Sequence, residues 1–211
     1  MSLRYVVTGT DTGIGKTIFS AGLTAALGAF YWKPVQAGLD EETDSETVMR
    51  LGDISQDRIL REEYRLAVPA SPHHAARLDG VDIDPARLLP PDVEEPLVIE
   101  GAGGLLVPLS DHVVYGDVFA HWQIPTILCA RTSLGTINHT LLSVEAMKRR
   151  GIPIFGIAFI GEEHQETQRI ISKMSGLRTL GRLPWIADIS AERLSQAFSA
   201  SFDVASLKEG L

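Results

Sequence analysis

Gly9-Thr10-Asp11-Thr12-Gly13-Ile14-Gly15-Lys16-Thr17 follows directly on the apolar run Tyr5-Val6-Val7. Glycines let a backbone curl so that successive N–H groups face an anion, and a helix beginning near Lys16 adds the positive end of its dipole at the same spot. In that geometry Lys16 reaches the β- and γ-phosphates of a nucleoside triphosphate, and the Thr17 hydroxyl faces Mg²⁺. The usual spacing G-x-x-x-x-G-K-[ST] puts its outer glycine where Thr10 stands here, because Gly9 comes one residue early. The loop is therefore a variant, and an ordinary strand-to-helix turn is the competing reading. The β-rich run before it and the helical pattern Ile18, Leu23, Ala26, Leu27 up to Gly28 favour the phosphate loop. Such a loop points to nucleotide binding without fixing a reaction.

Three more groups have the types that phosphate chemistry needs. Lys33 lies within Tyr31-Trp32-Lys33-Pro34, an apolar and aromatic setting where an ammonium is paired with an anion or has a lowered pKa. The alternative is a surface lysine at a strand end. Glu100 closes an apolar run and precedes Gly101-Ala102-Gly103-Gly104, so its carboxylate is placed to hold Mg²⁺ opposite Thr17. Asp44 opens the segment Asp44-Ser45-Glu46-Thr47, where a helix N-cap is the favoured reading of Asp44 taken by itself. Gly101, Gly103 and Gly104 suit a close backbone approach to a ligand or a tight turn. The histidines have no metal-ligand spacing, His73-His74 included, and no G-x-S-x-G elbow is present.

Short apolar runs without strict alternation recur at Tyr5–Thr8, Phe30–Val35, Leu97–Ile99, Thr126–Ala130, Ile154–Ile160 and Thr179–Leu183, each fit for a strand covered on both faces. Helical patterns separate them: Lys16–Leu27, Asp44–Leu51, about Pro72–Leu78, about Asp111–Trp122, Thr136–Arg149, His164–Met174 and Ala191–Ala197. Alternation of this kind predicts an α/β fold, a three-layer sandwich around a mainly parallel central sheet, with residues 1–211 forming one domain. Ligands of such sheets sit beyond the carboxyl ends of the strands. At that rim the pattern gathers the phosphate loop, Lys33-Pro34-Val35-Gln36-Ala37-Gly38, Glu100 with its glycines, and Arg131 with the loop Leu134–His139.

Composition bounds the rest. The chain of 211 residues is 45% hydrophobic and 22% charged, an ordinary globular profile, and its net charge of −8 argues against a general nucleic-acid binder. The one dense basic run, Lys148-Arg149-Arg150, closes a predicted helix before Gly151, where it complements the helix dipole. A single cysteine, Cys129 in an apolar run, leaves no disulfide framework and fits a reducing cytoplasm. No basic-then-apolar leader opens the sequence, and no apolar stretch approaches the roughly 18 residues that span a bilayer. The expectation is a cytoplasmic protein that binds neither membrane nor nucleic acid.

The segments GTDTGIGKT, YWKPVQAG, DSETVMRL, PASPHHAA, VIEGAGGLLVPL, SLGTINHTLLSVEAMKRRG and LGRLPW, in that order from Gly9 to Trp185, together resemble the dethiobiotin synthetase family. The resemblance implies a P-loop NTPase fold and Mg²⁺-dependent, ATP-driven ring closure of 7,8-diaminononanoate with CO₂, through a carbamate and a carbamic-phosphoric anhydride. It makes Lys33 the catalytic lysine on the carbamate and the transferring phosphoryl group, Lys16 the bridge between phosphates, and Thr12 a residue that helps place the carbamate. It gives the metal to Thr17, Asp44 and Glu100. It wraps the nucleotide in Gly13, Ile14, Gly15, Lys16, Thr17 and Ile18, with further contacts from Gly101, Ala102 and Gly103, from Ile160 and Gly161, and from Pro184, Trp185 and Ile186. It lines the diamine cleft with Lys33, Ala37, Ser71, Pro72 and His73. Leu134, Gly135, Thr136, Ile137 and Asn138, at a helix N-terminus, correspond to the part that receives the substrate carboxylate from the partner chain of a homodimer.

Two rivals share features with this reading. A switch ATPase of the partition or septum-placing type has a signature lysine five residues before the loop lysine, where this chain has Asp11, and lacks the lysine of the KPV segment. A glutamine-dependent amidoligase has a further glutamine-hydrolysing domain with a cysteine nucleophile, and the one cysteine of this chain, Cys129, is expected to be buried in its apolar run.

The chain departs from the resemblance at two positions. Ala37 stands where a small hydroxyl is common near the diamine, and Ile160-Gly161 replaces an Asn-Asp pair whose amide reads adenine. A site without that side-chain amide uses backbone groups or accepts several bases, so nucleotide preference is expected to be relaxed. Rates with ATP, CTP and GTP at sub-saturating concentration test this: comparable values are expected, and strict dependence on ATP would contradict it.

Overall fold

The computed structural model describes residues 2–210. Its first strand, β1 (Arg4–Gly9), turns Tyr5 and Val7 to one face and Val6 to the other, and all three are fully buried. A strand in that position needs apolar residues on both sides, which is why the run does not alternate. The same division holds in β6 (Leu97–Gly104), β7 (Thr126–Arg131) and β8 (Ile154–Ile160). Val98, Ile127, Cys129, Ala158 and Ile160 join one core, and Leu97, Ile99, Leu128, Ala130, Ile157 and Phe159 the other. Together with β2 (Phe30–Trp32), β4 (Ile59–Leu60) and β9 (Thr179–Leu183), they form a seven-stranded sheet of order β4-β2-β6-β1-β7-β8-β9 in which every pairing is parallel.

Helices cover both faces. α1 (Lys16–Leu27), α2 (Asp44–Gly52), α7 (Ala191–Ser201) and α8 (Val204–Glu209) bury Phe19, Leu23, Val48, Leu51, Leu194, Phe198 and Leu207 against one. α3 (Pro72–Leu78), α4 (Tyr115–Trp122), α5 (Thr136–Arg149) and α6 (Gln165–Ser175) contribute Ala75, Phe119, Val144, Met147 and Ile171 to the other. The result is the expected α/β three-layer architecture, and Cys129 is fully buried in it.

The structure differs from the sequence reading at the elements nearest the phosphate loop. The run Phe30–Val35 is not one strand. It breaks at Lys33-Pro34, because Pro34 has no N–H to offer the ladder. The chain then leaves the main sheet, and β3 (Val35–Ala37) pairs in parallel with β5 (Tyr64–Leu66) in a second, two-stranded sheet. The Pro34 carbonyl accepts from the Glu63 and Tyr64 amides. β6 does not end at Glu100 but continues to Gly104, which pairs with Gly9. Its glycines allow this: a Cβ on Gly101 would stand 2.8 Å from the Phe119 ring, and one on Gly103, at φ +65°, would stand 3.0 Å from Thr12 Oγ1. α4 starts at Tyr115 rather than Asp111, since Pro108 and Val114 form an antiparallel bridge first. No helix is long and apolar enough to cross a membrane among the described residues.

The α1–α7 contact makes a testable case of opposing effects. Gly22 lies inside α1, where alanine is worth about 1 kcal/mol more than glycine on propensity alone. A Cβ there would fall 2.4 Å from Phe198, a ring that is 1% exposed and wedged between Phe19 and Phe202. Overpacking of a core that cannot yield costs about 1–3 kcal/mol. Gly22→Ala is therefore expected to lower the urea midpoint, and an increase would show that Phe198 has room to move.

Candidate active site

The loop between β1 and α1 turns through two left-handed glycines, Gly13 at φ +66° and Gly15 at φ +94°, a conformation that other residues resist. Gly15 is also packed: a Cβ would stand 3.0 Å from Ile160 Cγ2. Thr10 N donates to Cys129 O within β7, which roots the loop in the sheet. Lys16, the first residue of α1, folds back so that Nζ donates to Asp11 O at 2.9 Å. It is almost fully buried, and that burial, reinforced by nearby Lys33 and only partly offset by Glu100, lowers its pKa below the ordinary lysine value.

Lys33 occupies the gap that opens where the chain leaves the main sheet. Its ammonium stands 2.7 Å from Asp44 Oδ2 and 3.3 Å from Glu100 Oε1, and it donates to Gly101 O at 3.2 Å. Burial alone would neutralise this group, but Glu100 and Asp44 outweigh it and raise the pKa above the ordinary lysine value. Of the two readings of Lys33, the structure has the paired, buried one. The carboxylates are shared with Thr17, whose Oγ1 lies 2.6 Å from Asp44 Oδ1 and 2.9 Å from Glu100 Oε1. Burial opposes the Asp44 carboxylate, yet Lys33 and the Thr17 hydroxyl hold its pKa below the usual range.

Asp44 is free for this because it is not the helix cap. Thr43 is, accepting from Glu46 N while the Glu46 carboxylate reaches back to Thr43 N, a reciprocal capping box. Asp44 thus becomes the first helical residue, and its amide donates to Gln36 Oε1 at 3.2 Å. One site residue was not legible in the sequence. Tyr31, fully buried in β2, donates its hydroxyl to Glu100 Oε2 at 3.1 Å. Its only sequence signal was a phenol two residues before the lysine.

Lys16 and Lys33 line a single cavity of about 680 Å³. Thr12, Gly13, Gly15, Thr17, Ile18, Asp44, Glu100, Ala102 and Gly103 line it as well, as do Ala37, Ser71 and Pro72 from the second sheet and α3. A slightly larger hollow of about 760 Å³, between α1, α2 and α7, contains none of these. The hydroxyl and two carboxylates that converge at Thr17 are hard oxygen donors and fit Mg²⁺, which takes few protein ligands and keeps waters or phosphate oxygens for the rest. No cluster of three or more His, Cys, Asp or Glu groups suited to a metal occurs among the described residues.

Other residues singled out in the sequence lie outside the cavity. His73 Nδ1 is hydrogen-bonded to Ser71 Oγ at 3.1 Å, and the residue lines a neighbouring hollow with Arg77 and Asp111. Of Leu134–Asn138, at the start of α5, Thr136 is buried and the other four are exposed, Leu134 fully. Ile160 is buried and faces Gly15 with its methyl groups. Gly161 has φ +126°; its N–H donates to Leu183 O and its carbonyl accepts from Arg182 Nη1. Trp185 beside it is exposed, and Pro184 and Ile186 are half-buried.

A family model described as an AAA domain matches residues 4–193. Curated proteins called ATP-dependent dethiobiotin synthetase BioD are similar over the whole chain. The one from Agrobacterium fabrum (strain C58) is 62% identical over 209 residues, 99% of each chain. The one from Nitrobacter hamburgensis is 58% identical over 210 residues, 100% of this chain and 99% of that one. Among solved structures, the cell division ATPase MinD of Pyrococcus furiosus aligns with a TM-score of 0.56 at 16% identity, covering 99% and 98% of the two chains. The MinD of Aquifex aeolicus aligns at 0.54 and 13%, covering 99% and 96%. At such identities the solved structures bear on the fold alone.

The Tyr31–Glu100 bond is open to test. Glu100 is fully buried, and Tyr31→Phe would leave Oε2 without its phenolic donor. Loss of one bond to a buried charged acceptor costs about 1.5–3 kcal/mol. Urea denaturation should show a destabilisation of that order, and an unchanged midpoint would mean that the bond contributes nothing.

Proposed function

The chain belongs to the family of ATP-dependent dethiobiotin synthetases, and from that premise we propose that it joins CO₂ to 7,8-diaminononanoate and closes the ureido ring of dethiobiotin at the cavity shared by Lys16 and Lys33. The observation that carries this reading is the convergence of both lysines on one cavity with Thr17, Asp44 and Glu100. One substrate amine attacks CO₂ to give a carbamate. The carbamate oxygen takes the γ-phosphoryl group and ADP leaves; the second amine then attacks the carbonyl carbon, and phosphate departs as the ring closes. Each intermediate is an anion, so the catalytic task is positioning and charge neutralisation.

The backbone N–H groups of Gly13–Thr17 receive the triphosphate. Lys16 exchanges the Asp11 carbonyl for phosphate oxygens, and the incoming polyanion restores the proton affinity that burial had lowered. Lys33 is held charged and fixed by Asp44 and Glu100, where it neutralises the carbamate and the phosphoryl group in transfer. Thr12 lines the same cavity and helps place the carbamate. Mg²⁺, when bound, would neutralise phosphate charge, with Thr17, Asp44 and Glu100 as its protein donors. Ala37, Ser71 and Pro72 are proposed to line the diamine cleft. Gly101, Ala102, Gly103, Ile160, Gly161, Pro184, Trp185 and Ile186 are proposed to contact the nucleotide.

The remaining substrate loop is proposed to act across a homodimer. Leu134 just before α5, Ile137 and Leu142 on α5 and Leu106 after β6 are exposed apolar side chains, and three of them, Leu106, Leu134 and Leu142, line hollows beside the loop start Thr10–Thr12, which supports a covered face there. Residues 1–211 are proposed to act as one P-loop domain within it. The switch-ATPase reading rests on fold likeness alone, and no residue of the cavity favours it.

Incubation with the diamine, bicarbonate, Mg²⁺ and ATP should yield the ureido product, and ATP hydrolysis without it would overturn the proposal. Lys33→Ala is expected to lower turnover by at least about a hundredfold while nucleotide affinity stays within about threefold, since the group acts on the transferring phosphoryl. Lys33→Gln, which keeps a donor for Gly101 O, checks that the loss is not one of folding. Parallel loss of nucleotide affinity in a folded variant would make Lys33 a triphosphate ligand instead.

A further inference from the structure

Arg131 ends β7, one strand over from the phosphate loop, and has no part in the reaction as described. Its Nη2 donates to Thr12 O at 2.8 Å and stands 3.4 Å from Asp11 Oδ2. Asp11 is the residue whose backbone carbonyl holds Lys16 Nζ, and its other carboxylate oxygen accepts from Thr12 N at 2.7 Å. One guanidinium thus grips the two residues that open the loop. Its own backbone is fixed in turn: Arg131 O accepts from Thr136 Oγ1 at 2.6 Å, at the first residue of α5.

Asp11 would otherwise be a liability. A carboxylate in the loop that receives a triphosphate repels the ligand at short range, and among the described residues Arg131 is the cation paired with it. The pair is partly exposed, with side chains 42% and 53% accessible, so as an isolated surface ion pair it would add little to stability. Its effect lies in where it sits. Arg131 Nε is buried without a partner, which a side chain placed only for stability would not need to tolerate.

We propose that Arg131 is a positioning residue for nucleotide binding: it clamps Asp11 and Thr12 and cancels the Asp11 charge, so that the loop presents its amides and Lys16 to the triphosphate. The proposal rests on the reading of residues 9–17 as the triphosphate loop.

The experiment is steady-state kinetics of the full chain with varied MgATP, together with titration of a fluorescent ATP analogue and thermal denaturation. Arg131→Ala should raise KM for MgATP and weaken the analogue by about tenfold, the size expected for one charge-assisted hydrogen bond at a partly exposed site, with kcat within about threefold. Arg131→Lys keeps the charge without the fork and should recover part of that loss. Asp11→Asn placed in the Arg131→Ala background removes the unpaired carboxylate and should also recover part of it. Unchanged KM in Arg131→Ala, a lowered Tm with no change in KM, or a double variant no better than Arg131→Ala would each overturn the proposal. Failure of the unaltered protein to bind the analogue would instead overturn the reading of the loop beneath it.

Discussion

A buried ammonium held between two carboxylates is the constraint around which the rest of this molecule is arranged. Lys33, Asp44 and Glu100 come from three separate parts of the chain; Lys33 and Glu100 are buried and Asp44 is half-buried, and neither buried ion is tolerable at its depth without a partner. An ion this buried costs several kcal/mol to desolvate, and removing one partner of such a set commonly costs about 3–5 kcal/mol. The cluster is therefore poor as a stabilising device and well suited to holding fixed charges where charge develops during a reaction.

Several local features follow from that need. Pro34 ends β2 and opens the gap in which Lys33 sits. The Thr43–Glu46 capping box satisfies the start of α2 by itself, which releases Asp44 from capping and turns it towards Thr17 and Lys33. Gly101 lets β6 pass beneath Phe119 while its carbonyl accepts from Lys33. Tyr31 covers the far oxygen of Glu100. Each is an ordinary solution to a local problem, and together they leave Lys33 with a single geometry.

The sequence made the phosphate loop, the central strands and their flanking helices legible, because glycines before a lysine and uninterrupted apolar runs each have one strong physical cause. The departures share a different cause. β3, β4 and β5 are two or three residues long and leave no periodic trace. The continuation of β6 past Glu100 depends on what its glycines pack against. Asp44 reads as a cap until Thr43 is seen to take that role. Tyr31 and Arg131 meet partners 69 and 120 positions away, and although Arg131 reads as a rim residue, spacing says nothing about either partner. The resemblance groups His73 with the diamine cleft, whereas its side chain lines a neighbouring hollow beyond the cavity.

Two lysines share one cavity with different partners: Lys16 is held by the Asp11 carbonyl and Lys33 by two carboxylates. A crystal structure with Mg²⁺ and a non-hydrolysable ATP analogue tests this most directly. The account predicts Lys16 Nζ transferred from Asp11 O to phosphate oxygens, the cation beside Thr17, Asp44 and Glu100, and Lys33 still in the cavity facing the terminal phosphate. A triphosphate bound elsewhere, or Lys16 still on Asp11 with the analogue in place, would contradict it.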